Sequence, residues 1–190
     1  GDRKTFCFGS AFQFGGGRIM KKVFRPNAAA VVFRQDKKVL MCRRIFPKTD
    51  GWQFPQGGIE AGETAQEAAL RELKEETSVH SVTAVKTLDY PLRYEFPEEV
   101  KAKFRTRGIF NDGQEQYWSL FYFTGQEDEI NLKTEEPEFD EFGWFDLEEA
   151  PDLVWEIKRE VYRQMAAAFV PLIKNYPAEK QNVASDGFSI

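Results

Sequence analysis

Histidine is nearly missing from this chain: His80 is the single one in 190 residues. That argues against a hydrolase whose general base or metal ligands are histidines. Cysteine is almost as scarce. Cys7 and Cys42 have no metal-ligand spacing and make no disulfide framework, so they fit a reducing compartment. No run approaches the ~20 apolar residues of a bilayer span, which leaves no membrane partner. A secretory apolar segment is absent, and the first methionine is Met20. Neither sign of charge dominates. A net charge of −5 makes the whole surface no magnet for nucleic acid, although local basic patches remain open. No internal repeat and no second domain stand out.

What is present is the composition of one folded domain. Hydrophobic residues make up 42%, including 18 Phe and 4 Trp, enough for a real core. Residues 23–175 read as that domain. Residues 1–22, rich in Gly and with four scattered Phe, read as an arm, or as a remnant of expression or of a presequence. Residues 176–190 are polar and read as a flexible tail. The expected compartment is the cytoplasm; mitochondrion or plastid is the alternative if the first segment is what a presequence leaves behind. No obligate protein partner is evident.

Asn27–Arg34 and Val39–Ile45 read as two strands of a hairpin about the polar turn Gln35–Lys38. Trp52–Phe54 is a short apolar piece halted by Pro55. Gln56–Gly62 holds three glycines and reads as a loop needing unusual φ or close backbone approach. Thr64 with Glu67 forms a capping box, opening a helix that runs to about Thr77. Ser81–Leu88, Tyr117–Thr124 and Glu141–Asp146 read as strands, Pro91–Phe110 is ambiguous, and an amphipathic helix covers about Leu153–Phe169. Strands outnumber helices, and two helices flank a strand block. The fold class expected is α+β, a mixed sheet between helices.

The chemistry concentrates in Gly57–Val79 (GGIEAGETAQEAALRELKEETSV). At about 100° per residue, Glu72, Glu75 and Glu76 share one helical face. Like charges so placed destabilise a helix, so something positive should compensate. Hard oxygen donors suit Mg²⁺ or Mn²⁺. Ala65 and Ala68 on the same face leave room, while Leu70, Leu73 and Thr77 lie on the other side for packing. A bare acidic helix is more often a solvated face steadied by cations such as Arg71 and Lys74. The contiguous glycine-rich loop, capping box and spacing change that reading.

The segment resembles the Nudix box, G-x5-E-x7-R-E-U-x-E-E-x-G-U with U aliphatic. Here it reads Gly57, Glu63, Arg71, Glu72, Leu73, Glu75, Glu76 and Val79, eight of the nine fixed positions. Ser78 stands where the family has a helix-ending Gly, a departure worth about 1 kcal/mol of local stability. The resemblance implies the Nudix α/β/α sandwich, a metal-dependent hydrolase of phosphoanhydrides, and two or three Mg²⁺ or Mn²⁺ ions held by Glu72, Glu75, Glu76 and Glu138. Gly57, Glu63 and Arg71 would be structural or orienting. Glu75 or Glu76 would take the proton of the attacking water. His80, just past the box, is expected to be structural or exposed.

Further landmarks resemble one branch, that of the bacterial RNA pyrophosphohydrolases and the plant-type dinucleoside polyphosphate hydrolases. They are FRPN (Phe24–Asn27), GWQFPQGG (Gly51–Gly58), GQEQ (Gly113–Gln116), PEFD (Pro137–Asp140) and KREVY (Lys158–Tyr162). By that resemblance Arg44 and Arg25 would contact phosphate and Tyr94 would stack a base. For Tyr94 a core position is the competing expectation. Glu115 and Tyr117 replace basic residues frequent in the branch, and Ile157 replaces an aromatic one. Lys101, Lys103, Arg105 and Arg107 alternate with other residues, and at strand spacing would point one way, towards RNA phosphates or towards solvent. The acidic Glu115 and the net charge favour a dinucleoside polyphosphate such as diadenosine tetraphosphate as the substrate. A triphosphorylated RNA 5′ end is the alternative. Two other classes are weaker. An inactive Nudix binding module would have lost box glutamates, and an isopentenyl diphosphate isomerase would need a catalytic cysteine where Cys42 sits in an expected strand.

Overall fold

A strand apolar on both faces organises the sheet. In the computed structural model of the protein, which describes residues 21–46 and 51–177, β1 (Phe24–Phe33) has every residue from Ala28 to Phe33 fully buried. Its side chains alternate between two cores. Ala28, Ala30 and Val32 face one with Leu73 and Phe121; Ala29, Val31 and Phe33 face the other with Trp118, Tyr162 and Phe169. The remaining elements are β2 (Val39–Arg44), β3 (Trp52–Gln53), β4 (Gln56–Gly58), α1 (Ala65–Thr77), β5 (Val82–Thr87), β6 (Leu92–Glu95), α2 (Glu98–Arg105), β7 (Gly113–Phe123), β8 (Phe139–Phe145), α3 (Ala150–Leu153) and α4 (Arg159–Asn175). Helix α1 covers the first core and α4 the second. This is the expected α+β sandwich, with a mixed sheet: β1 runs parallel to β7 over ten residue pairs and antiparallel to β4.

Several local expectations are revised. The β1–β2 hairpin holds at its turn, where Arg34 N–H donates to Lys38 O at 3.0 Å and Phe33 pairs with Val39. Beyond it β2 leaves β1 for β3 on one edge and β8 on the other. The glycine-rich Gln56–Gly62 begins as strand β4, because its backbone completes the edge of β1; only Ile59 onwards is loop, with Gly62 at φ +90°. The ambiguous Pro91–Phe110 resolves into β6 and α2. The basic run therefore lies largely on a helix, not a strand, and its cations do not point one way. Lys101 is buried and donates to Glu98 at 2.8 Å, with Glu95 and Asp112 near it. The last helix starts later than expected, since Val154 is extended and bridges Gly51, and it continues past Pro171 to Asn175. Tyr176, expected in the tail, instead stacks on Tyr122 at 4.8 Å and meets Phe33 edge-on. Among the described residues no helix is long and apolar enough to cross a membrane.

The arm assigned to residues 1–22 lies outside the described residues, apart from its last two. No box residue or landmark precedes Phe24. Deleting residues 1–22 is expected to leave kcat within a few-fold of the full chain. A collapse of kcat with an unchanged melting temperature would show that the arm completes the site.

Candidate active site

Three local devices set the position of the α1 carboxylates. At the start, the Thr64 side chain accepts from Glu67 N–H at 3.2 Å and the Glu67 carboxylate accepts from Thr64 N–H at 2.8 Å, the expected capping box. At the end, Ser78 takes the left-handed conformation, φ 65°, that the family's glycine would supply. Its hydroxyl donates to Asn131 O at 3.1 Å, and Asn131 N–H donates to Thr77 O at 2.9 Å. These bonds tie the segment leading to β8 against the end of α1. The third device is Gly57. A Cβ built there would lie 2.0 Å from Cδ of Glu72, so the carboxyl group occupies the space that any other residue would fill.

Arg71 is the hub of the acidic cluster. Its guanidinium donates to Glu63 Oε1 at 2.7 Å and Oε2 at 3.0 Å, to Glu72 at 2.7 Å, to Glu75 at 3.1 Å and to the Gly58 carbonyl at 2.8 Å. The bond from Arg71 lowers the Glu63 pKa to about 2. Burial raises that of Glu72 against the pull of Arg71. Glu76 is different. It is 5% exposed and accepts from Gln56 N–H at 3.0 Å. Burial first, and Glu138 second, hold its carboxyl well above the usual range. A deprotonated carboxylate there calls for a cation.

Glu72, Glu75, Glu76 and Glu138 line one cleft of about 540 Å³ together with Glu135 and Glu136. The structure thus brings the expected ligand residues to one place. Among the described residues no three acidic side chains form a ready metal cage; like charges repel, and Arg71 draws Glu72 and Glu75 to itself. The donor set, carboxylate oxygens without nitrogen or sulfur, fits a hard divalent ion. Glu138 arrives through the backbone bond from Ile45 N–H to its carbonyl, 2.9 Å. Glu135 and Glu136 are residues the sequence reading missed. Their signal was the acidic run just before PEFD, easily taken for a solvated loop.

The softer candidates divide. Arg44 lies 3.8 Å from Glu138 Oε2, at the rim of the cleft, and also donates to Phe46 O. Arg25 is exposed, and its guanidinium lies against Gly58. Tyr94 is in the core at 7% exposure, with its ring edge-on to Phe96 and its hydroxyl donating to Gln114 at 2.7 Å. No open face of that ring is offered to a base. Glu115 is engaged by Arg93 at 2.6 Å and by the Tyr117 hydroxyl at 2.9 Å. His80 is exposed, as expected. Cys42 is fully buried in β2, and burial pushes its thiol pKa well up, which removes the nucleophile an isomerase would need.

Known proteins share this architecture and sequence. The model of the NUDIX domain matches residues 23–165. The chain is 41% identical over 146 residues to the RNA pyrophosphohydrolase of Pelagibacter ubique, covering 74% of this chain and 88% of the relative. It is 43% identical over 148 residues to that of Caulobacter vibrioides, covering 76% and 85%. To Nudix hydrolase 26, chloroplastic, of Arabidopsis thaliana it is 38% identical over 150 residues, covering 77% and 69%. Among solved structures, the E. coli dihydroneopterin triphosphate pyrophosphohydrolase superposes with a TM-score of 0.55 at 24% identity, over 77% of this chain and 99% of that one. A C. elegans Ap4A hydrolase gives 0.53 at 19%, over 76% and 98%. At these identities the two structures speak for the fold alone.

Proposed function

The chain belongs to the Nudix hydrolase family, and from that premise we propose that it acts on the 5′ end of triphosphorylated RNA, where water cleaves an anhydride bond, pyrophosphate leaves and a 5′-monophosphate remains. The observation that carries this reading is identity of about 40%, over about three quarters of the chain, to relatives named RNA pyrophosphohydrolase. It reverses the order suggested by charge alone. Glu115 does not stand as a free anion in the path of RNA, because Arg93 and Tyr117 engage it. Nor does the basic run form a track for the RNA backbone. The geometry suits recognition of an end rather than of length. The cysteine pattern fits work in a reducing compartment such as the cytoplasm.

In this reading Glu72, Glu75, Glu76 and Glu138 hold the divalent ions. When bound, those ions neutralise the anhydride oxygens and make a water more acidic. Arg71 positions Glu72 and Glu75, and Arg44 at the rim holds phosphate oxygens, with Arg25 further along β1. One of Glu75 and Glu76 would take the proton of the attacking water instead of serving as a ligand, the other three glutamates remaining on the ions; Glu75 is largely exposed and Glu76 is buried beside Gln56.

Kinetics on a substrate panel with Mg²⁺ test the reading: triphosphorylated RNA, diadenosine tetraphosphate, ADP-ribose and dNTPs. The expected result is the highest kcat/KM for the RNA and little turnover of ADP-ribose. With two or three phosphate contacts, log kcat/KM should fall against log salt with a slope of about −1 to −2. Faster cleavage of ADP-ribose than of the RNA overturns the reading. A slope steeper than about −5 would mean that the chain tracks the RNA backbone after all.

A further inference from the structure

Strand β4 is three residues long and pairs with β1 on one edge only, yet its other edge meets the acidic helix. There Gln56 N–H donates to Glu76 at 3.0 Å, and the Gly58 carbonyl accepts from Arg71 at 2.8 Å. So short a strand needs a further tie to keep both groups in place. One crosses over β1. Ala29, whose side chain is a single methyl group, pairs with Gln56 on one side and with Trp118 on the other; two residues earlier, Asn27 pairs with Gln116. Above Ala29 the Gln116 Nε2 donates to Gln56 Oε1 at 2.7 Å and to Asn27 Oδ1 at 3.0 Å. Strands β4 and β7 are two sheet spacings apart, roughly 10 Å, and two glutamine side chains span that gap over a residue too small to obstruct them. The three amides come from the FRPN, GWQFPQGG and GQEQ landmarks, to which the reaction above gives no common purpose.

The polarity of this bridge follows from the donors and acceptors available. Gln116 is fully buried and both its side-chain N–H groups are used, while its Oε1 has no partner among the described residues. Turned the other way, the carboxamide would accept through Oε1 and leave two N–H groups buried without acceptors, a worse state than one orphan oxygen. An apolar side chain would fill the position without any orphan, so packing alone does not call for glutamine there. Resting on the reading that Glu76 is among the ligands of a divalent ion, we propose that Gln116 is a positioning residue for that glutamate. It holds the Gln56 side chain, and with it the short strand whose N–H fixes the Glu76 carboxylate. Shut off from solvent itself, Gln116 acts through Gln56 and not on substrate.

The test uses Gln116→Met, Gln56→Met and the double variant of the full chain. In Gln116→Met the Gln56 amide proton, followed by hydrogen exchange in EDTA, should exchange about tenfold faster, while the amide of Val31 in the middle of β1 keeps its rate. Mn²⁺ affinity by titration and kcat on triphosphorylated RNA should each fall about tenfold, the low end for losing the partner that orients a ligand, with KM within about twofold. One chain of contacts carries the effect, so adding Gln116→Met to Gln56→Met should weaken Mn²⁺ binding by less than about twofold more. Gln116→Asn keeps an amide beside Asn27 but is one methylene short of Gln56. It should show the same losses, and it keeps the test alive if the apolar variant does not fold. Unchanged exchange at Gln56, or faster exchange there with unchanged Mn²⁺ affinity, overturns the proposal. So do effects that add in full in the double variant. The exchange measurement separates this from the functional reading. If the parent hydrolyses no RNA end, yet Gln116→Met frees the Gln56 amide and weakens Mn²⁺ binding, the positioning role stands and the hydrolase reading falls. If the parent cleaves RNA ends and the variants keep the Gln56 amide protected, the positioning role falls and the hydrolase reading stands.

Discussion

Glu76→Gln is expected to lower kcat by at least ~100-fold while the fold survives, and Glu75→Gln to do the same. Glutamine keeps the length of the side chain, and its amide oxygen can still accept the Gln56 N–H bond that Glu76 accepts now. What it cannot do is carry a negative charge to a divalent ion or take a proton from water. Steady-state rates on triphosphorylated RNA at saturating Mg²⁺ check this, with circular dichroism as the control for folding. Near-parental rates in both variants would sink the metal-site reading.

The buried state of Glu76 adds an independent readout. Burial and Glu138 raise its pKa in the folded protein, so the folded state binds this proton more tightly than the unfolded state does. Stability from this group is therefore lost as pH rises from the ordinary glutamate pKa towards the raised one. In EDTA the Glu76→Gln variant should melt above the parent at neutral pH, by roughly 2–4 °C for each kcal/mol relieved. The gap should close below the ordinary glutamate pKa, where both forms are neutral. Adding Mg²⁺ should raise the melting temperature of the parent more than that of the variant. A variant that melts lower than the parent in EDTA at neutral pH would mean that Glu76 is paired rather than frustrated.

The same side chain shows why some features were legible in the sequence and others were not. Helical periodicity alone put Glu72, Glu75 and Glu76 on one face, and the capping box fixed where α1 begins, because both signals are local. What periodicity could not distinguish was the fate of each carboxylate. Glu75 is exposed and tied to Arg71, Glu72 sits against Gly57, and Glu76 is buried against Gln56. Those differences come from β4, which the sequence reads as loop because its backbone bonds to β1 leave no trace in a glycine-rich stretch. The basic run failed for a similar reason. Alternating cations fit a strand, but Glu98 and Glu99 at the first turn and Lys103 and Arg105 at the last complement a helix, and Lys101 bonds Glu98 one turn before it, with Glu95 and Asp112 also near. Tyr94 is the third instance. Its place in the core depends on Phe96 and Gln114, and Gln114 is brought beside it by the β6–β7 pairing.

Gly57→Ala, a change of one methyl group, is expected to cut kcat/KM by 10- to 100-fold. Gly57 is not among the residues with positive φ, so alanine strains no backbone dihedral. The conflict is purely with Glu72: the new Cβ would lie 2.0 Å from its Cδ and 2.1 and 2.2 Å from its carboxylate oxygens. Backbone hydrogen bonding pins β4 to β1, with Gly57 opposite Ala28, so the strand cannot back away cheaply. The Glu72 side chain must move, and with it goes the 2.7 Å bond from Arg71 that helps to set Glu75. Displacement of a ligand by an ångström costs about 100-fold in well-aligned sites, and loss of an orienting contact 10- to 100-fold in metal affinity. Mn²⁺ affinity measured by titration should therefore fall in parallel with kcat/KM, while the melting temperature in EDTA changes little. The decisive comparison is the double variant Gly57→Ala/Glu72→Asp. Aspartate is one methylene shorter and withdraws from the added methyl group, so the two changes together should cost less than the sum of their separate effects. Strict additivity would place the defect of Gly57→Ala elsewhere than at Glu72.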